Sequence, residues 1–408
     1  MTSKLKMLSA ALAAFLLSSL VNADNCESVV GASANEVVSI HCGGAPSAFV
    51  ADDGVVWTAF VQNQHVYVSQ SQDMGKSFGE PLKVNAEPEN IEFNGENRPK
   101  IIVSDSGVIL LSWTTKTSSN FTGLIRFSRS INDGKTFSTP RTINDDGLHT
   151  GHRFDSLYLT ESGNLYLTWI DKRDMVASEK LGEDYVGAGI YYTVSQDLGE
   201  SFSPNYRVSH NSCECCRIAM APHGRDEVAI VWRQIYDEHI RDHSFAILGV
   251  AGQVNAKARA TVDDWHIDAC PHHGPAMIEA AQGDGDEYHL AWFSNGNIHS
   301  GIHYGLYDAR TETMRQIMKV DGTPGAGHPH MARVGDRIYM VWKGFDGQQT
   351  LLQLMSSDDE GETWSEPDTL YTTGRASDHP LLVSSEQGVY LSWLSDEYGY
   401  RFEEVIND

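Results

Sequence analysis

The sequence predicts an all-β fold, a seven-bladed β-propeller of four-stranded antiparallel blades, on three observations. A strand-like segment ending in tryptophan recurs seven times. A short glycine-turn motif follows that segment in four of the repeats. Amphipathic helical periodicity is nearly absent after the first two dozen residues.

The tryptophan segments are Val55-Val56-Trp57, Leu110-Leu111-Ser112-Trp113, Tyr166-Leu167-Thr168-Trp169, Ala229-Ile230-Val231-Trp232, His289-Leu290-Ala291-Trp292, Tyr339-Met340-Val341-Trp342 and Tyr390-Leu391-Ser392-Trp393. Successive tryptophans stand 56, 56, 63, 60, 50 and 51 positions apart. That period suits a four-stranded propeller blade and not a helical solenoid repeat. The segments are rich in β-branched and aromatic residues and are flanked by turns such as Ser104-Asp105-Ser106-Gly107. After the last tryptophan strand only one more strand is legible, near Arg401 to Val405. The early segment Glu36-Val37-Val38-Ser39-Ile40 is therefore expected to pair into the last blade and remove its open edge.

The second motif reads Ser71-Gln72-Asp73-Met74-Gly75-Lys76-Ser77-Phe78, and returns at Ser130–Phe137, Ser195–Phe202 and Ser357–Trp364. Its Asp or Asn can accept turn amides, its glycine supplies a positive φ, and its final aromatic can tuck into the blade. The motif resembles the Asp-box, and through it the chain resembles the sialidase/BNR-repeat propeller superfamily. Repeats four and five lack the box, which implies degenerate turns.

Residues 1–23 read as a signal peptide. Lys4 and Lys6 precede the apolar run Leu8 to Val21, and Val21-Asn22-Ala23 offers a small-residue cleavage site. Residues 24–408 are then one propeller domain, periplasmic or secreted, with no later segment near the roughly 20 apolar residues of a membrane span. A hydrophobic fraction of 41% with 10% aromatics is enough for a large core. The net charge of −25 argues against nucleic acid or an anionic membrane surface as partner, and is compatible with a cation.

In propellers the innermost strand of each blade starts at the ligand-binding face near the axis. The windows before the seven inner strands are His41-Cys42, Asn97-Arg98, His152-Arg153, Cys213-Glu214-Cys215-Cys216-Arg217, Cys270-Pro271-His272-His273, His328-Pro329-His330 and Asp378-His379. Five of the six cysteines fall there. Thiolate beside imidazole is a soft to borderline donor set, so Cys213, Cys215, Cys216, Cys270, His272, His273, His328 and His330 are the expected metal ligands. Copper is expected first and zinc second, with Met220, Met277 and Met331 as possible thioether donors or plain core. Disulfides are the competing use of these cysteines in an exported chain, and Cys26 with Cys42 is a plausible pair.

Sialidases of the superfamily grip a substrate carboxylate with three arginines and use a Tyr–Glu nucleophile pair with an acid/base Asp. By resemblance, Arg98, Arg153 and Arg217 are the candidate anion-binding arginines. Asn97-Arg98-Pro99 is similar to part of the family's Arg-Ile-Pro motif. The chain departs from the family pattern where later blades carry Cys and His instead of arginine, and no Tyr–Glu pair or acid Asp can be assigned. The expected function is soft-metal binding or metal-dependent redox chemistry, with an anionic small molecule drawn by the arginines. A sialidase-like glycoside hydrolase and a non-catalytic protein-binding propeller are the alternatives.

Overall fold

The structure, a computed structural model, describes residues 37–281 and 285–405. The expected signal peptide and Cys26 lie outside the described residues. Four-stranded antiparallel sheets dominate: the runs starting at Gly44, Lys100, Ala276 and Gly327 each form one. An eight-stranded sheet contains two further four-strand runs, starting at His152 and Ala219, joined where Ser212 pairs with Gln234. The last sheet has three strands, Leu381–Ser384, Val389–Ser395 and Gly399–Glu404.

The first strands of successive runs pack one on the next, and Leu381–Ser384 packs back on Gly44–Val50. The sheets therefore close into a circle, the β-propeller arrangement. The second strand of each run is the tryptophan strand. Trp113, Trp169, Trp232, Trp292, Trp342 and Trp393 are all under 2% exposed, between neighbouring sheets. Burying an indole strands its N–H unless an acceptor is near, and each has one. Trp169 donates to Asp171 at 2.7 Å, Trp232 to Gln234 at 2.8 Å and Trp342 to Asp321 at 2.8 Å.

The four glycine turns behave alike. In the third, Ser201 N donates to Asp197 Oδ1 at 2.8 Å and Gly199 N to Ser195 Oγ at 2.7 Å. Leu198 and Gly199 both take positive φ, 51° and 79°. A side chain at Gly199 would stand 2.4 Å from the ring of Phe127, in the preceding sheet. Gly75 meets Phe402 and Gly361 meets Tyr304 in the same way, also one sheet back. The glycine is thus required twice, for its φ and for the close approach of neighbouring sheets.

Two expectations change. Residues 37–40 form no strand, so the last sheet is not completed by an N-terminal strand among the described residues. A turn closed by Cys42 N on Ser39 O bends this segment away. It is held by the Gln62 amide, which donates to Val37 O and accepts from Ser39 N, both at 3.1 Å. Ile40 is buried against the last sheet with Tyr400 and Phe402, and Tyr400 N donates to His41 Nδ1, so packing replaces pairing at the seam. The described residues also include a short α-helix, Arg173–Leu181, between the second and third strands of its run.

Candidate functional site

The starts of the inner strands are distorted in a consistent way. Pairing slips between Gly44 and Ser47, between Arg153 and Ser156, and between Gly327 and His330. Within these bulges Ala45, Phe154 and His328 take φ of 45°, 57° and 57°. A bulge re-aims a side chain, and left-handed backbone at a non-glycine residue costs about 1–3 kcal/mol, so these positions are held by their surroundings.

Before the inner strand Ala219–His223, the loop of residues 213–218 is anchored by Cys213 N donating to Arg233 O at 2.8 Å. Its three thiols are buried, at 1%, 2% and 2% exposure for Cys213, Cys215 and Cys216. Their sulfurs form a triangle with sides of 3.6, 3.9 and 4.0 Å. Cys270 is exposed on the neighbouring loop, outside this triangle. The hydrogen bonds from Cys215 and Cys216 hold the Cys213 thiol well below its usual pKa, with Arg233 and Arg241 assisting. Burial pushes Cys216 up, keeping it protonated. Cys42, by contrast, is disulfide-bonded.

A second cluster surrounds Glu96, which is 3% exposed. It accepts from Arg217 Nη1 at 2.9 Å, Arg217 N at 3.2 Å, Gly274 N at 3.0 Å and His328 Nδ1 at 2.9 Å. Glu96 thereby clamps together the residues just after both cysteine loops. Burial would raise its pKa, but the Arg217 charge and the His328 hydrogen bond outweigh that and hold it well below the carboxylate range. Above it three imidazoles stack: His328 on His379 with centroids 3.4 Å apart, and on His273 at 4.4 Å. Burial lowers His328 to about 4 and His273 to about 3, so both rings are neutral near pH 7.

The eight expected ligands therefore do not surround one ion. Donor atoms within 4.8 Å of one another fall into separate groups, with Cys213, Cys215 and Cys216 in one and Glu96, His328 and His379 in another. His328 belongs with the second group, and His273 stacks on it from outside that group. His330 is half-buried and accepts from Leu382 N at 3.1 Å, and His272 is exposed at φ 55°. The methionines are packing residues. Met277 and Met331 sit in hydrophobic clusters, and Met220 lies against the core with its sulfur accepting from Thr168.

The three arginines are each met by an acid. Arg98 makes a two-pronged pair with Asp378 at 2.9 and 3.1 Å, Arg153 pairs with Glu92 through Nε at 2.7 Å, and Arg217 pairs with Glu96. Each of the three charges therefore has a counter-charge within the fold. The sequence does not mark Glu96, Glu92 and Asp378 as site residues, because a lone carboxylate carries no donor-set signature. A usable signal was the glycine beside these windows. A Cβ at Gly95 would stand 2.1 Å from His379, one at Gly274 would stand 2.2 Å from Arg217, and one at Gly327 would stand 2.5 Å from His273.

A third group has a structural role. His152 Nδ1–H donates to Gly123 O at 2.9 Å, and its Nε2 lies 2.9 Å from Asp146 and 3.6 Å from Asp171. Burial opposes the charge on His152, but the Asp146 hydrogen bond and both acids raise its pKa. Asp146 falls to about 2 against its own burial, through His152 and Arg173. A raised histidine contributes stability in full below its unfolded pKa of about 6.5 and loses it as pH rises through the folded value. A depressed aspartate contributes above about 3.9 and loses it as pH falls toward 2. The melting-temperature advantage of the wild type over His152→Gln should therefore peak between about pH 4 and 6.5 and shrink above it. A pH series of thermal melts checks this, and an advantage that grows above neutrality contradicts it.

No family profile matches the sequence, and no curated protein matches it. Solved structures do resemble the fold. An ulvan lyase of a polysaccharide-lyase family superposes with a TM-score of 0.57 at 11% identity, covering 88% of this chain and 92% of that one. A protein of unknown function from Dyadobacter fermentans gives 0.52 at 14% identity, covering 79% and 98%. An α-L-arabinofuranosidase from Fusarium graminearum, bound to an iminosugar inhibitor, gives 0.51 at 14%, covering 74% and 88%. At such identities the likeness is one of fold alone.

Proposed function

We propose that this chain is an exported, seven-bladed propeller that binds a soft transition-metal ion on Cys213, Cys215 and Cys216, with Cys270 as fourth donor. The count of seven takes the eight-stranded sheet as two blades. One observation carries the metal reading, the sulfur triangle of 3.6, 3.9 and 4.0 Å. An ion with metal–sulfur bonds of about 2.3 Å needs sulfurs about 3.8 Å apart in a tetrahedron and about 4.0 Å apart in a trigonal plane. A disulfide needs about 2.05 Å. The triangle has the size of a coordination shell.

The donor chemistry supports copper, with zinc second, because thiolates favour both and the set is closed to hard cations. Export is supported by Lys4, Lys6 and the apolar run to Val21, and by the disulfide at Cys42, a bond typical of oxidising compartments. In such a compartment a bound ion would keep neighbouring thiols from pairing with each other. Untagged protein purified from its host should carry about one equivalent of copper or zinc per nest. Metal at background level, with the four thiols oxidised, would remove the reading.

The activities named for the similar propellers support a second reading more directly than they support copper, namely a glycoside hydrolase or lyase, including the sialidase-like form. A cleft of about 660 Å³ beside the Ser212–Gln234 junction, lined by His210, Tyr236, Lys257 and Arg259 among others, is large enough for a short saccharide. Turnover of a fluorogenic sialoside or an acidic polysaccharide, unchanged in Cys213→Ser, would favour this reading over the metal one.

A further inference from the structure

We propose that the hub carries a second metal site, separate from the thiol nest, in which His273, His328 and His379 supply nitrogen to a borderline divalent ion such as Zn²⁺ or Cu²⁺. Glu96 is the positioning residue beneath it.

The site draws on four blades, through the loop of residues 94–98, the loop of residues 270–274, the strand Gly327–Val334 and the Asp378-His379 pair. The donor atoms of Glu96, His328 and His379 lie within 4.8 Å of one another. Glu96 takes the Nδ1–H of His328, which fixes that ring's tautomer and leaves the Nε2 lone pair for an ion. A carboxylate behind a histidine is the usual way of aiming an imidazole at a metal. Glu96 is itself immobilised by Arg217 and two backbone amides.

Two features are hard to explain if the stack only fills space. His273 Nδ1 and His379 Nδ1 are buried with no hydrogen-bond partner among the described residues. The 3.5 Å approach of His379 Nδ1 to Glu96 is too long for a well-formed bond. Buried polar atoms without partners are costly, and phenylalanine would fill the same space without that cost. The second feature is construction. Gly95, Gly274 and Gly327 are the residues whose missing side chains make room for His379, for Arg217 with Glu96, and for His273. His328 is aimed from a bulge at φ 57°. Nitrogen donors are harder than thiolates, so the hub favours the divalent, borderline form of such an ion and the nest favours softer ions.

The test uses full-length protein, stripped of metal and reduced. Cobalt titration of the wild type should show two classes of site. One gives intense thiolate charge-transfer absorption, and the other gives only weak visible bands. In Cys213→Ser/Cys216→Ser, Cu²⁺ should bind at about one equivalent with nitrogen hyperfine splitting in its electron paramagnetic resonance spectrum. Adding His328→Ala and His379→Ala should remove that signal, while the same two changes in the wild type leave the thiolate band. Glu96→Gln should weaken Cu²⁺ binding about 10–100-fold with the nitrogen signature retained. A folded Cys213→Ser/Cys216→Ser variant with no nitrogen-ligated copper overturns the proposal. So does histidine replacement that leaves copper binding intact. If the serine variant does not fold, the wild-type titration decides, since a single thiolate-only class overturns the hub site and a nitrogen-only class overturns the nest.

Discussion

On the proposed metal reading, Cys216→Ser should leave the purified chain unable to hold a soft ion through one round of chelator dialysis. Cys216 is 2% exposed and closes two sides of the sulfur triangle, so no neighbouring group can move in to replace it. Even supporting residues around a metal are worth about 10–100-fold in affinity, and a direct ligand should exceed that. Cys270→Ser should cost less, because its thiol is exposed and water can take its place. Competition with a chromophoric chelator measures both. Equal affinities for wild type and Cys216→Ser would mean that the triangle is only packing. Because the ion binds the folded state, its removal should also lower the melting temperature of the wild type and not that of Cys216→Ser.

The second large effect is on stability. Glu96→Gln should lower the unfolding free energy by about 3 kcal/mol or more, since it leaves the Arg217 guanidinium in the hub without its counter-charge. The loss falls on the whole circle. Glu96 accepts from backbone amides of two other loops, at Arg217 and Gly274, and from His328 on a third element. Denaturant unfolding followed by tryptophan fluorescence reads it. A change below about 1 kcal/mol, the range of exposed ion pairs, would show that the hub does not depend on Glu96.

Much of the fold was legible in the sequence because its signals are local. The tryptophan strands announce themselves within four residues. The glycine turns do so within eight, where Asp197 and Gly199 complete their hydrogen bonds with Ser195 and Ser201. The seam was less legible. The segment before His41 has strand-like residues, but the Ser39–Cys42 turn and the Gln62 amide take its backbone groups first. At the site, both side-chain clusters draw on the windows before the inner strands, and the nest of Cys213, Cys215 and Cys216 follows from their adjacency in the chain.

Alignment could not say which donors share a centre. The partners of Arg98 and Glu96 lie 280 and 121 residues away, at Asp378 and Arg217, and such pairs exist only once the circle has closed. The sequence by itself determined strands, turns and the crowding of sulfur and imidazole at one end of the inner strands, because those depend on neighbours a few residues apart. Only the tertiary structure decided that the arginines are neutralised and that His273, His328 and His379 gather over Glu96. Side-chain reach across the hub is set by bulges, by missing glycine side chains and by the packing of sheets far apart in the chain.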